Sequence, residues 1–151
     1  MKKFWIFLFL TAFFCSCNIP KDLYSWGLYE DSYYNFYKKH SPESYAQLYS
    51  SYSAMVTVPG GVRGVVPPGI YAEYGYLLLA PETPAILIEY YSNPKNFPKK
   101  VRQTMEGTDW SQVFAPEVLR AKGLEMLQKE IELYPESATF LEPIINKFNR
   151  Q

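Results

Sequence analysis

Beyond position 17 the sequence contains no cysteine, and its whole length carries a single histidine, His40. Neither a disulfide framework nor a Cys/His metal site can therefore be built in the body of the chain, and neither metal nor other bound cofactor is expected. An excess of one charge is missing as well: 15 Lys and Arg stand against 15 Asp and Glu. Proteins that neutralise phosphates need a positive surplus, so no nucleic-acid partner is expected. A membrane-spanning run is also lacking at the amino terminus. Phe4 to Phe14, interrupted only by Thr11, is about eleven residues or roughly 16 Å as a helix, against the twenty or so needed to cross. What is plentiful is aromatic: 18% of the chain, led by 14 Tyr, eight of which fall between Tyr24 and Tyr52. At 151 residues, one domain is the natural expectation.

The first residues explain part of this composition. Lys2 and Lys3, the short apolar run and then Cys15-Ser16-Cys17 form the layout of a secretory signal. A small residue must precede the cleaved bond, and Ser16 precedes Cys17 whereas bulky Phe14 precedes Cys15. The run Phe14-Cys15-Ser16-Cys17 resembles a bacterial lipobox. That resemblance implies a signal peptide over 1–16, a diacylglycerol thioether and an N-acyl chain on Cys17, and a lipidated tether over 17–23. Several acyl chains, at about 0.8 kcal/mol per buried methylene, hold a protein on a membrane where a single chain would not. Asn18 follows the cysteine instead of the Asp that favours retention in the inner membrane of enteric bacteria, which implies the outer membrane. Without Lys2 and Lys3, 13 basic and 15 acidic residues remain, a net charge of about minus two.

The mature chain reads as helical throughout. Glu30–Lys39 predicts one helix; Ser41 then offers a cap and Pro42 suits the first helical position, where its missing N–H is not needed. Tyr45, Leu48, Tyr49 and Tyr52 follow at i, i+3, i+4 and i+7, which makes a helical hairpin of the two segments. The Pro- and Gly-rich stretch 57–69 predicts a loop, with Val62, Val65 and Val66 as a short extended piece. Its Gly60-Gly61-Val62-Arg63-Gly64 lacks the Gly-Lys-Ser/Thr ending of a phosphate loop. Ile70–Leu79, between prolines, predicts a helix of about three turns with Tyr71, Tyr74 and Leu78 on one side and small Ala72 and Gly75 where another helix can approach. Gly inside a helix costs roughly 1 kcal/mol relative to Ala, so close packing is its expected compensation. Ala85 to Tyr91 is an apolar run compatible with a short helix or a buried strand. Pro116 to Tyr134 predicts a long helix, Pro135 a stop and Ser137 a cap. A last helix from Ala138 would carry Phe140, Leu141, Ile144, Ile145 and Phe148 on its apolar side, with Pro143 inside it.

Gly75, Gly123, Leu127 and the closing Tyr134-Pro135-Glu136-Ser137 resemble a tetratricopeptide-type unit, in which small residues let two helices meet and Pro ends the second. In an uninterrupted unit the two small positions lie about twelve residues apart; here 48 separate them. The expected architecture is therefore all-α, a single helical domain over 24–151 made of helical hairpins, with one such unit interrupted by a long insert at about 82–117. With Trp26 to Asp31, Pro67 to Leu79 and Gly123 to Phe140 taken together, the mature chain is similar to a family of small bacterial outer-membrane lipoproteins of unknown function. Members are often encoded beside a lipoprotein similar to the curli secretion pore, and the resemblance implies the periplasmic face of the outer membrane and an envelope lipoprotein or secretion-complex partner.

Catalytic chemistry finds little to work with. Nucleophilic triads need a base beside a nucleophile, and the mature chain offers one His, at a helix boundary, and no free thiol. Glu30 with Asp31 and Glu130 with Glu132 do not face one another on a helix. Glu73 is the best single carboxylate, and one carboxylate is not a mechanism. A non-enzymatic interaction or assembly scaffold is the expectation, with a glycan- or peptidoglycan-binding module as the alternative. The candidate interaction surface is Tyr24, Trp26, Tyr29, Tyr71 and Tyr74, since rings offer flat apolar area with a polar tip. Lys95, Lys99, Lys100 and Arg102 read as a solvated loop, or else as a contact for anionic lipid head groups or an acidic partner.

Overall fold

A computed structural model describes residues 22–150, and these are helical with no strand among them. The expected signal peptide, Cys17 and the first part of the expected tether lie outside the described residues. In chain order the helices are α1 (Tyr29–Lys39), α2 (Pro42–Thr57), α3 (Ile70–Leu79), α4 (Thr83–Ser92), α5 (Lys99–Met105), α6 (Trp110–Val113), α7 (Pro116–Leu133) and α8 (Ala138–Asn149), with 3-10 turns at Pro94–Asn96 and Pro135–Ser137.

Local chemistry sets the ends of the first two. In α1, Glu30 and Asp31 occupy the first turn and Lys38 and Lys39 the last, each sign matched to the helix dipole. His40 then takes a left-handed conformation, φ 47°, which stops the helix. Ser41 accepts the Ser44 N–H while the Ser44 hydroxyl accepts the Ser41 N–H, a reciprocal capping box with Pro42 at the first helical position. The resulting hairpin buries one face of α2: Tyr45, Leu48, Tyr52 and Met55 lie in the core. α2 is the central helix, in contact with α1, α3 and α4.

The most extensive helix contact joins α3 to α7, helices far apart in sequence. It is built on Gly75 and Gly123. A methyl group added to Gly75 would lie 2.9 Å from the Gly123 carbonyl oxygen, and one added to Gly123 would lie 3.1 Å from that of Gly75. The two backbones thus touch where side chains would hold them apart. At the start of α3, Glu130 of α7 is buried and accepts the Gly69 N–H on Oε1 at 2.7 Å, so one helix supplies the carboxylate that caps the other.

Four expectations change on inspection of the fold. The stretch 57–69 forms no strand, because Gly61, Gly64 and Gly69 all have positive φ and turn the chain repeatedly. The stretch 82–117, expected as an insert, contributes to the interior: α4 buries Thr83 and Leu87, and Phe114 is buried after α6. Ser137 caps nothing through its side chain, since the chain has already entered a 3-10 turn there and its buried hydroxyl has no partner. On α8, Leu141 is buried and Phe140 is 75% exposed, because α8 meets the body along only part of its apolar side.

Candidate functional site

Glu73 lies at the centre of a polar cluster. The Tyr29 hydroxyl of α1 and the Tyr52 hydroxyl of α2 both donate to its Oε2, each at 2.7 Å. Burial, followed by the hydrogen bond and charge of Glu73, pushes both phenols well above their ordinary pKa, so they remain donors. The carboxylate thereby ties α3 to both helices of the hairpin, and both phenols share one of its two oxygens, Oε2.

A groove of about 980 Å³ is lined by both helices of the hairpin, on residues other than those of this cluster. One end is bounded by Ser25, Gly27 and Leu28, the other by Tyr90, Tyr91 and Phe97. Its floor is made by Ser32 of α1 and by Ala46, Ser50, Ser53 and Ala54 of α2, positions three or four apart that share one helix face. Small side chains at those positions leave the volume empty. Asp31 is the one charged group among the lining residues. Ser50 bridges α2 to α4 through the Tyr91 hydroxyl at 2.9 Å, whereas the buried Ser51 Oγ bordering the groove has no partner. Leu28 and Val58, on the rim, are 72% and 77% exposed.

The five residues expected to form an interaction surface do not share one. Tyr74 is fully buried, stacked on Tyr52 with centroids 5.8 Å apart, and belongs to the core. Tyr71 is half-buried and packs against that core. Tyr24 lies under the Arg63 guanidinium, 5.4 Å from it, and receives a 2.5 Å hydrogen bond from Nη1. Trp26 and Tyr29 are together, centroids 5.7 Å apart, and Trp26 is exposed. Sequence reasoning missed their continuation: Tyr33 stands 5.5 Å from Tyr29 and Tyr37 4.7 Å from Tyr33, a ring ladder along α1 with Tyr33 and Tyr37 exposed. The i, i+4 spacing of Tyr29, Tyr33 and Tyr37 was the available signal.

The segment before α1 is fixed to the loop after α2. Val62 and Arg63 donate their N–H groups to the carbonyls of Asp22 and Leu23 at 2.9 and 3.0 Å, and Ser25 donates to Gly60 at 3.3 Å. Gly61 makes this approach possible, since a Cβ there would lie 2.6 Å from Leu23 O and φ is +83°. Beside the clamp, Tyr134 donates to Val66 O at 2.6 Å, and burial with neighbouring Tyr24 pushes its phenol up to about 12. Among the described residues, no cluster of His, Cys, Asp and Glu is placed to hold a metal ion and no helix is long and apolar enough to cross a membrane.

Comparison with curated proteins and with solved structures gives no match. α7 and α8 lie outside the family match, while the hairpin, α3, α4 and the clamp apart from Asp22 lie within it, so the first part of the 82–117 stretch is family sequence. Residues 23–100, more than half of the chain, match a family described as a domain of unknown function, and the chain belongs to that family, DUF4810.

Proposed function

We propose that the protein is a non-enzymatic, lipid-anchored scaffold at the periplasmic face of the outer membrane, and that it docks one helix of an envelope partner in the groove along α1 and α2. The observation that carries this reading is the groove floor. Ser32, Ala46, Ser50, Ser53 and Ala54 present no long side chain, and small residues at helical spacing let another backbone approach closely, as Gly75 and Gly123 do within the fold. The near absence of charge in the groove favours an uncharged helix face, and the exposed rim residues Leu28 and Val58 give that face apolar contacts. The α3–α7 pair, closed by Pro135, serves as the tetratricopeptide-like unit that holds the hairpin in place. Anchorage is assigned to lipid on Cys17, and a secretion-type lipoprotein complex is the assembly it would serve.

The test is a photocrosslinking residue at Val58, with Phe140 as the control position. One defined envelope protein crosslinked from Val58, absent from Phe140 and lost when Ala54→Trp fills the groove, supports the reading once the purified pair reproduces it. Equal crosslinking from both positions, or indifference to Ala54→Trp, overturns it. A second reading, a glycan-binding module, draws on the ladder of Trp26, Tyr29, Tyr33 and Tyr37. Saturable sedimentation with purified sacculi that Trp26→Ala abolishes would favour it, and absence of binding removes it.

A further inference from the structure

Between Glu89 and Glu106 the chain has no acidic residue and carries Lys95, Lys99, Lys100 and Arg102. All four are exposed, and among the described residues none forms an ion pair with a carboxylate. The helix that bears three of them, α5, makes no extended contact with any other helix, and all of its residues except half-buried Met105 are exposed. Val101 on α5 is 40% exposed and Val113, at the end of α6, 43%. A pocket of about 380 Å³ brings Phe97, Met105 and Trp110 beside Lys99 and Arg102, with Glu106 the one carboxylate at its border. Phe97, Met105 and Trp110 are half-buried, so only part of each borders this pocket beside the two cations.

We propose that this lobe, residues 94–113, rests on the anionic surface of a membrane, its cations at the lipid phosphates and its exposed valines, with the open edges of Phe97 and Trp110, at the level of the headgroups. Lys and Arg are drawn to a negative leaflet, and Trp and other aromatic side chains settle at the boundary between water and hydrocarbon. Val101 stands between Lys100 and Arg102 on α5, so a membrane, which offers charge and hydrocarbon together, suits this helix better than a purely polar acidic surface. The proposal rests on the lipid-anchored reading only for how the lobe reaches the membrane. Because Tyr91 and Phe97 border both this pocket and the groove, a docked lobe would also turn that end of the groove toward the lipid.

The test uses the full chain, purified from membranes and reconstituted in vesicles of phosphatidylcholine with and without phosphatidylglycerol. An environment-sensitive fluorophore is placed at Val101→Cys, with the unaltered chain labelled in parallel as the blank. The expected result is a blue shift and a gain in intensity only where phosphatidylglycerol is present, reversed by salt. Each basic residue near an anionic surface is worth roughly fivefold in partitioning, so Lys99→Gln, Lys100→Gln and Arg102→Gln together weaken the docked state about a hundredfold and abolish the signal. Identical spectra in the two vesicles, or a signal that the triple substitution leaves intact, overturns the proposal. Flotation on neutral vesicles reports the anchor separately. A chain that fails to float there refutes the anchor, and the fluorophore on anionic vesicles still decides the lobe.

Discussion

Replacing Gly75 with Ala sets two effects of similar size against each other. In an exposed helix the change would stabilise by about 1 kcal/mol, through lower backbone entropy in the unfolded chain and better helix propensity. Here the new methyl would lie 2.7 Å from Leu127 Cδ2, 3.0 Å from Leu127 Cγ and 2.9 Å from the Gly123 carbonyl oxygen. Carbon contacts are at their optimum near 3.5–4.0 Å, so the helices must separate by several tenths of an ångström or more. Leu127 is fully buried and has no room to swing aside, and the carbonyl is backbone of the opposing helix. Overpacking of this kind costs roughly 1–3 kcal/mol, and a backbone wall favours the upper half of that range. The net expectation is a loss of about 1–2 kcal/mol, or roughly 4–8 °C in Tm for a domain of this size. Gly123→Ala meets mainly the Leu79 side chain, at 2.8 Å, which can yield, so its loss should be smaller, about 0–1 kcal/mol. Urea unfolding followed by circular dichroism at 222 nm measures both variants. A Gly75→Ala protein as stable as the parent, or more stable, would show that the α3–α7 interface is not closed on glycine.

Three further outcomes are expected. Glu130 has its pKa raised by burial, opposed by the nearby Gly69, Ala72 and Tyr71 N–H groups. Its neutral form is therefore favoured by folding, and the parent loses stability relative to Glu130→Gln as pH climbs through the raised folded pKa, the two converging at acid pH. A stability difference that stays flat with pH, or grows in the parent's favour as pH rises, refutes that sign. Removing a donor from Glu73 costs on the order of 2 kcal/mol in Tyr52→Phe, where the tyrosine is buried, and nearer 1 kcal/mol in half-buried Tyr29→Phe; a double-mutant cycle with Glu73→Gln should reveal coupling, and additive effects would mean that the phenols do not share the carboxylate. Finally, Cys17→Ala should abolish incorporation of labelled fatty acid and release the protein from the membrane fraction, whereas undiminished labelling would refute lipidation at that residue.

Much of the fold is legible in sequence where local chemistry decides it. Ser41-Pro42 marks the start of α2 and the flanking prolines bracket α3. Gly75 and Gly123 announce a close crossing because an interior helical glycine needs a compensation. What stays hidden depends on partners distant in sequence or on groups with no side-chain signature. Glu130 reads as one carboxylate on a polar helix face until its partner, the Gly69 N–H, is brought to it by the α3–α7 packing. The groove is invisible for a related reason: a wall of serine and alanine leaves no apolar periodicity, and its volume comes from what those residues lack. Tyr74 misleads because the pattern that exposes a ring on an isolated helix buries it once α2 lies across that face. Ala85 to Tyr91 settles as helix because Thr83 and Leu87 find a packed interior on one side and solvent on the other.

The clamp between residues 22–25 and 60–63 has a mechanical meaning. A pull on the chain ahead of Asp22 would not begin by peeling α1 from the hairpin, as it would for a strand of chain running freely into its first helix. The load enters through backbone hydrogen bonds at Val62 and Arg63, with the Tyr24–Arg63 contact beside them, and passes to the connection between α2 and α3. Both helices are seated in the core. Tension is thus shared across the middle of the fold, and α1, with the groove floor it helps to form, is spared.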